Sequence, residues 1–269
     1  MGLPQASESY SNAFDPTMKI AFIASPKNAA QEALRQLTAR YGQCDTSDAD
    51  YVVSIGGDGT ALKALHAVMA AARQPVFAMR IASSLGFLAN PFQVEDLPER
   101  LRTARRLTLC PLKAKVQHGA ESTTVFAVNE IVLIRQRLQA AKLCVTAGSD
   151  RFAPLIGDGL LVTTPIGSSG YNRSIGGPAL SHNSSLLALT ALAAHHRSEW
   201  CNTVVNDRSA VEVEVIDPDH RPVQLQTSGQ ELRNVRRVRI SSSWDISLIL
   251  LFDATRDRPN TCQNSIEVS

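Results

Sequence analysis

Over roughly the first hundred residues, short apolar runs alternate with stretches of helical spacing. Lys19 to Ala24 (KIAFIA) ends at Ser25-Pro26 and predicts a buried strand. Asn28 to Arg40 carries Ala29, Ala30, Ala33, Leu34 and Leu37 at helical spacing. Tyr51 to Ile55 (YVVSI) predicts a second strand, and Gly56-Gly57-Asp58-Gly59-Thr60 follows it at once. Ala61 to Arg73 is predicted helical, with Leu62, Leu65, His66 and Met69 along one stripe. Pro75 to Met79 predicts a third strand, Ser83 to Asn90 a loop and Val94 to Arg106 another helix. Strands alternating with helices imply parallel β-α-β units, so this half reads as an α/β domain with a Rossmann-like parallel sheet.

The pattern then changes. Leu107 to Val116, Thr124 to Arg135, Ala141 to Ala147, Leu160 to Thr164, Val211 to Ile216, Val223 to Gln226, Val235 to Ile240 and Ile246 to Phe252 all read as strands. Val211-Glu212-Val213-Glu214-Val215 alternates strictly, and only Ser184 to His195 reads as a helix. This half is expected to be an all-β, sandwich-like domain. The division follows: residues 1–17 a flexible tail, 18–110 the α/β domain, 111–252 the β-rich domain, and 253–269 a polar tail that returns to the first domain or hangs free.

Composition narrows the classes. With 44% apolar residues the chain can bury a substantial core. A net charge of +2 from 27 basic and 25 acidic residues gives no electrostatic case for nucleic acid or an anionic membrane. No apolar run resembles a signal peptide or a bilayer span. Cys44, Cys110, Cys144, Cys201 and Cys262 are odd in number, widely spaced and without a C-x-x-C pair. That argues against disulfides and structural zinc and for free thiols in the cytoplasm.

Two glycine-rich segments carry candidate chemistry. Gly56 to Thr60 sits where a strand turns into a helix. Glycines let the main chain approach a ligand, and backbone N–H groups at a helix start favour anionic oxygens. Asp58, with little steric cover, is placed to take a proton from a hydroxyl; the competing reading is that it caps the helix or shapes the turn. Neither a G-x-x-x-x-G-K-[ST] loop nor a G-x-G-x-x-G turn after a strand occurs. The second segment runs from Gly157-Asp158-Gly159 through Thr163-Thr164-Pro165 to Gly167-Ser168-Ser169-Gly170-Tyr171, then Asn172-Arg173-Ser174 and Gly176-Gly177-Pro178. It offers backbone donors, hydroxyls and one aromatic face to a sugar and base, or is an ordinary loop.

Taken in order, Gly56 to Thr60, Leu85-Gly86-Phe87-Leu88, Asn129-Glu130, Gly157 to Tyr171 and Gly176-Gly177-Pro178 resemble the motif set of bacterial NAD kinases, across Lys19 to Phe252. The first motif alone is shared with diacylglycerol- and sphingosine-type lipid kinases; the Asn-Glu pair and the later block are far more selective. The resemblance implies an enzyme that moves the γ-phosphoryl group of ATP to the adenosine-ribose 2'-hydroxyl of NAD, giving NADP. It implies Asp58 as base with Gly59 beside it, and Gly56, Gly57, Gly59, Thr60 and Lys63 on the phosphate side. Asn129 and Glu130 are expected at the adenosine part. Asp158 is expected by the nicotinamide half or a neighbouring subunit's ligand. Ser169, Gly170, Tyr171, Asn172, Arg173 and Ser174 are expected at adenine and ribose, and Gln230 at NAD. Magnesium or another divalent cation accompanies ATP, some members accept polyphosphate, and the family forms homodimers or homotetramers.

Some positions depart from the family pattern. Met79 to Ser84 reads MRIASS, without the usual glycines and asparagine. Ile156 stands where a basic residue is common, and Ser228-Gly229-Gln230 replaces a segment that usually carries Asp. A lipid kinase and a non-catalytic NAD(P)-binding module are the competing functions. His195-His196 is read as structural or surface, since adjacent residues do not share a helix face. The run Arg233, Arg236, Arg237 and Arg239 is read as a solvated strand face.

Overall fold

The computed structural model describes residues 18–70, 73–81, 87–195, 200 and 202–254. The expectations for Ala82 to Gly86, His196, Cys201, Cys262, residues 1–17 and residues 255–269 lie outside these. The chain divides into two compact units, one formed up to Leu107 and by the return from Ile249, the other from Thr108 to Leu248.

The first unit contains β1 (Ile20–Ala24), α1 (Asn28–Tyr41), β2 (Tyr51–Ile55), α2 (Asp58–Ala70), β3 (Val76–Arg80), β4 (Asn90–Pro91), α3 (Leu97–Thr103) and β5 (Arg105–Leu109). β1, β2 and β3 pair in parallel, as their continuous burial requires of a sheet covered on both faces. Ala30, Ala33 and Leu37 of α1 and Leu97 and Leu101 of α3 close over Ile20, Val53, Ile55, Phe77 and Met79. Two expectations shift here. α3 is shorter than the predicted Val94 to Arg106, because Arg105–Leu109 continues as a strand. The predicted strand from Leu107 to Val116 is accordingly two, broken at Pro111, which has no N–H to keep a ladder going.

The second unit carries β6 (Leu112–His118), β7 (Glu121–Ala127), β8 (Glu130–Arg135), β9 (Ala141–Ala147), β10 (Asp150–Arg151), β11 (Leu155–Gly157), β12 (Gly159–Thr163), α4 (Tyr171–Ser174), β13 (Leu186–Leu192), β14 (Thr203–Asn206), β15 (Val211–Val215), β16 (Val223–Gln226) and β17 (Glu231–Ser242). Its strands form one antiparallel sheet, twelve strands among the described residues, around a large, mainly aliphatic core. The sandwich-like character expected of it is that of one curled sheet. The run read as a helix from Ser184 to His195 is instead β13. Leu187 and Leu189 face the main core while Leu192 packs with Val132 and Leu161 on the other face. Burial on both faces gives a continuous apolar run, and periodicity cannot tell such a strand from a buried helix.

The last described strand, β18 (Leu248–Phe252), was expected in the β-rich half. It pairs in parallel with β3 and completes the first sheet. Two buried polar contacts hold it there. The Asn90 amide donates to the carbonyls of Ala78 (3.1 Å) and Leu251 (3.0 Å), and its oxygen accepts the Asp253 N–H at 3.0 Å. Arg100 grips Asp253 through two hydrogen bonds of 2.9 and 2.8 Å, with only 12% and 14% of the two side chains exposed. No described helix is long and apolar enough to cross a membrane.

Asn90→Ala strands two carbonyls and one N–H in a fully buried site, and is expected to cost about 3 kcal/mol or more. Chemical denaturation measures it; a loss within a few tenths of wild type would show that β18 is held by its ladder alone.

Candidate active site

The Gly-rich turn is built from the end of β2 into α2. Gly56 N–H donates to Met79 O at 2.9 Å, and the helix starts with Thr60 N–H and Ala61 N–H on Gly57 O. A Cβ on Gly56 would stand 2.3 Å from Thr60 Oγ1, so the tucked-in, buried Thr60 makes glycine obligatory there. Gly59 differs: a Cβ there would meet nothing within 4 Å. Its openness leaves room for another molecule. Asp58 lies in the first turn of α2. Its Oδ2 accepts the Phe87 N–H and its Oδ1 the Leu88 N–H, both at 2.9 Å. The carboxylate is thus aimed by two backbone donors, and each oxygen keeps further acceptor capacity. Lys63 is exposed one turn on.

In the second unit β8 and β12 pair from Glu130↔Thr163 to Gly159↔Ile134, and Arg135 N–H extends the ladder to Asp158 O at 2.9 Å. The chain reaches Asn129-Glu130 through a break between β7 and β8, where a single strand had been expected. Thr163 Oγ1 and Thr164 Oγ1 both donate to Asn129 O at 3.1 Å, and Thr164 N–H does so at 2.8 Å. A Cβ on Gly167 would lie 2.7 Å from that same carbonyl. The Asn129 backbone is therefore clamped, while Asn129 Oδ1 and Glu130 Oε2 are buried without a hydrogen-bond partner. Buried polar atoms in native proteins are nearly always paired, so these two atoms, unpaired among the described residues, point to a missing ligand. Burial raises the Glu130 carboxyl from 4.5 to about 7.

At the opposite end of the pair, Asp158 Oδ1 accepts from Arg135 Nε at 2.6 Å. Gly159 is obligatory, since a Cβ would sit 1.8 Å from Leu133 O. The run Ser169 to Ser174 contains α4. Gly170, Tyr171, Arg173 and Ser174 are exposed and Ser169 is half-buried. Asn172, expected to contact NAD, is fully buried. Its amide donates to Ser168 O (3.2 Å) and Pro178 O (2.8 Å) and accepts from Thr190 Oγ1 at 2.6 Å. It shapes the loop from inside. Gln230 is exposed in the turn between β16 and β17.

Sequence reasoning quoted the Leu85 to Leu88 motif without seeing that its amides orient Asp58, and it missed Arg135 altogether. The continuous apolar run of β8 gives no sign that its last residue reaches Asp158.

Residues 7–106 match the model of the ATP-NAD kinase N-terminal domain and residues 128–244 that of the ATP-NAD kinase C-terminal domain. The chain belongs to the NAD kinase family. It is 38% identical over 239 residues to an NAD kinase of Hyphomonas neptunium, covering 88% of this chain and 92% of that one. Its fold is similar to that of yeast NADH kinase complexed with NADH, at a TM-score of 0.73 and 16% identity over 91% of this chain and 85% of that one. It is also similar to an NAD kinase from Archaeoglobus fulgidus in complex with ATP, at a TM-score of 0.68 and 19% identity over 88% and 94%. The match over 128–244 sets the chain apart from lipid kinases that share only the Gly-Gly-Asp-Gly-Thr turn with it.

The raised Glu130 carboxyl makes stability depend on pH. The folded chain holds this proton more tightly than the unfolded chain, so its contribution is complete below pH 4.5 and is lost as pH rises through about 7, a difference of about 3 kcal/mol. Glu130→Gln is expected to unfold several degrees above wild type near pH ~8, with the gain shrinking toward pH ~5. Scanning calorimetry reads this; a pH-independent difference would show that Glu130 is not desolvated.

Proposed function

We propose that Asp58 is the general base of the NAD kinase reaction of this chain. The reaction is that of the family: ATP phosphorylates NAD to NADP. Asp58 takes the proton of the adenosine-ribose 2'-hydroxyl as that oxygen bonds to the γ-phosphorus and the bond to the bridging oxygen of ADP breaks. The observation that carries this reading is the aimed carboxylate, held by the Phe87 and Leu88 N–H groups beside the unfilled space at Gly59. Phosphoryl transfer depends chiefly on positioning and electrostatics, and both are supplied by a fixed backbone here.

Gly56, Gly57, Gly59 and Thr60 serve the phosphates through backbone N–H groups at the start of α2, with Lys63 as a mobile cation nearby. No group of three or more His, Cys, Asp or Glu among the described residues is arranged as a metal cage. Magnesium is commonly held by substrate phosphates with few protein ligands, and here it would arrive with ATP at the phosphates beside Gly56 to Thr60. Bound there, magnesium would neutralise charge on the phosphates.

Asn129 and Glu130 receive the adenosine part, whose polar groups would satisfy the two orphaned oxygens. Tyr171 stacks on the base, with Ser169, Gly170, Arg173 and Ser174 around it, and Asn172 acts through the loop it holds. Gln230 approaches NAD from its turn, and Asp158 serves the nicotinamide half. Along β8, Glu130 and the Arg135–Asp158 pair are separated by five residues, about 17 Å at the rise of a strand. A homodimer or homotetramer and a cytoplasmic location belong to the same reading; Cys44, Cys110 and Cys144 are free, as a reducing compartment keeps them.

Asp58→Asn keeps the shape and can accept from one of the two backbone N–H groups, but it cannot accept the proton. It is expected to lower NADP formation by about 10²-fold or more while NAD still binds, in an assay coupled to an NADP-specific dehydrogenase. Undiminished turnover would remove Asp58 from the base role, and NAD binding without turnover in the wild type would favour the binding module.

A further inference from the structure

The outward face of the β-rich unit carries a cleft along β6 and β17, with Trp244 and Asp245 of the following turn at one end. Its volume is about 460 Å³, within the range of small-ligand sites. None of the residues given above to NAD or ATP lines it. Strand alternation builds the cleft: Ala114, Val116, Val238 and Ile240 point into the core, so Lys113, Lys115, Arg239 and Ser241 point away from it.

The register concentrates positive charge there. Lys115 lies opposite Arg239 on β17 and opposite Thr124 on β7; Lys113 lies opposite Ser241 and Phe126. Like charges directly opposite each other repel, and no acid stands between them. Arg239 reaches Glu212 on β15, but Arg237 shares that carboxylate. Among the described residues neither lysine has a carboxylate partner, and Lys113 rests 5.7 Å from the centre of the Phe126 ring. The one acid lining the cleft, Asp245, accepts from Ser243 Oγ at 2.7 Å. Beside these charges Trp244 keeps 58% of its surface exposed, unusual for so large an aromatic side chain. The Arg208 guanidinium lies 5.4 Å from its ring centre and steadies the indole.

We propose that this cleft is a further ligand site that takes a nucleoside di- or triphosphate. Lys113, Lys115 and Arg239 receive the phosphate oxygens, Ser241 donates to them, and Trp244 packs against the base. Charge complementarity carries the phosphate part: three cations line the cleft against a single carboxylate already engaged by Ser243. The exposed indole at the end of the same cleft carries the base part. A long polyanion such as nucleic acid is not favoured by a chain whose net charge is only +2. The proposal is independent of where NAD binds.

Trp244 reports its own occupancy, because the other tryptophan of the chain, Trp200, is buried. Fluorescence titration of the full chain with GDP should give saturable quenching with a dissociation constant below about 1 mM, and Trp244→Phe should remove that signal. The double variant Lys113→Gln/Lys115→Gln should bind GDP about tenfold more weakly or worse, and added salt should weaken binding to wild type. Thermal unfolding of the double variant should stay near wild type, since substitutions on a solvated strand face change stability little. Guanosine at the same concentrations should leave Trp244 unquenched. Pyrophosphate that displaces GDP with equal affinity would uphold the phosphate site and overturn the role given to the base. Absence of saturable quenching, or the same titration in wild type and the double lysine variant, would overturn the proposal. So would a Trp244 that acrylamide fails to quench in the free protein, because a second copy of the chain would then cover the cleft.

Discussion

The antiparallel pairing of β8 with β12 sets the geometry of the proposed NAD side. Five ladder pairs join Glu130–Ile134 to Gly159–Thr163, and every one of the β12 residues is buried. The register is fixed at Gly159, where the Leu133 carbonyl occupies the volume of a Cβ. A slip by one residue would turn Leu133 and Leu160 out of the core and carry Glu130 to the wrong face. With the register held, one end of the pair presents Asn129 and Glu130 above Thr163, Thr164 and Gly167. The other presents Arg135 against Asp158. These groups are thus spaced by backbone hydrogen bonds, whose geometry is far stiffer than that of side chains on loops.

The first unit uses backbone in the same way. Asp58 is not left to its own rotamers, because Phe87 and Leu88 N–H groups hold its two oxygens. The segment that supplies those amides leads into Asn90, which ties β3 to β18. The return of the chain into the first sheet and the aim of the carboxylate therefore share one short stretch, Phe87 to Asn90. Burial of Glu130 follows the opposite logic. Its carboxyl is desolvated and lacks a partner for Oε2, a cost that stability alone would not retain and that a ligand would offset.

Much of this was legible in the residues. The strand-to-helix step at Gly56 to Thr60 follows from an apolar run, three glycines and a helical stripe, and Asn129-Glu130 and Gly157-Asp158-Gly159 stood out as motifs. What failed was information that sits in pairing rather than in pattern. β13 is apolar on both faces, so period carried no signal. β18 reads like any buried strand, and Asn90 and Arg100, more than 150 residues earlier, hold it in the first sheet. Asn172 looks like a ligand group in a polar run, but a loop carbonyl on each side and Thr190 beneath consume its amide. Arg135 ends an ordinary strand and acquires its meaning only when β12 brings Asp158 alongside.

The most direct test of this account is a crystal structure of the chain with NAD bound. The account predicts the adenosine part against Asn129 Oδ1 and Glu130 Oε2, both no longer orphaned. An NAD molecule whose adenosine lies away from Glu130, leaving the two buried oxygens as they are, would contradict it.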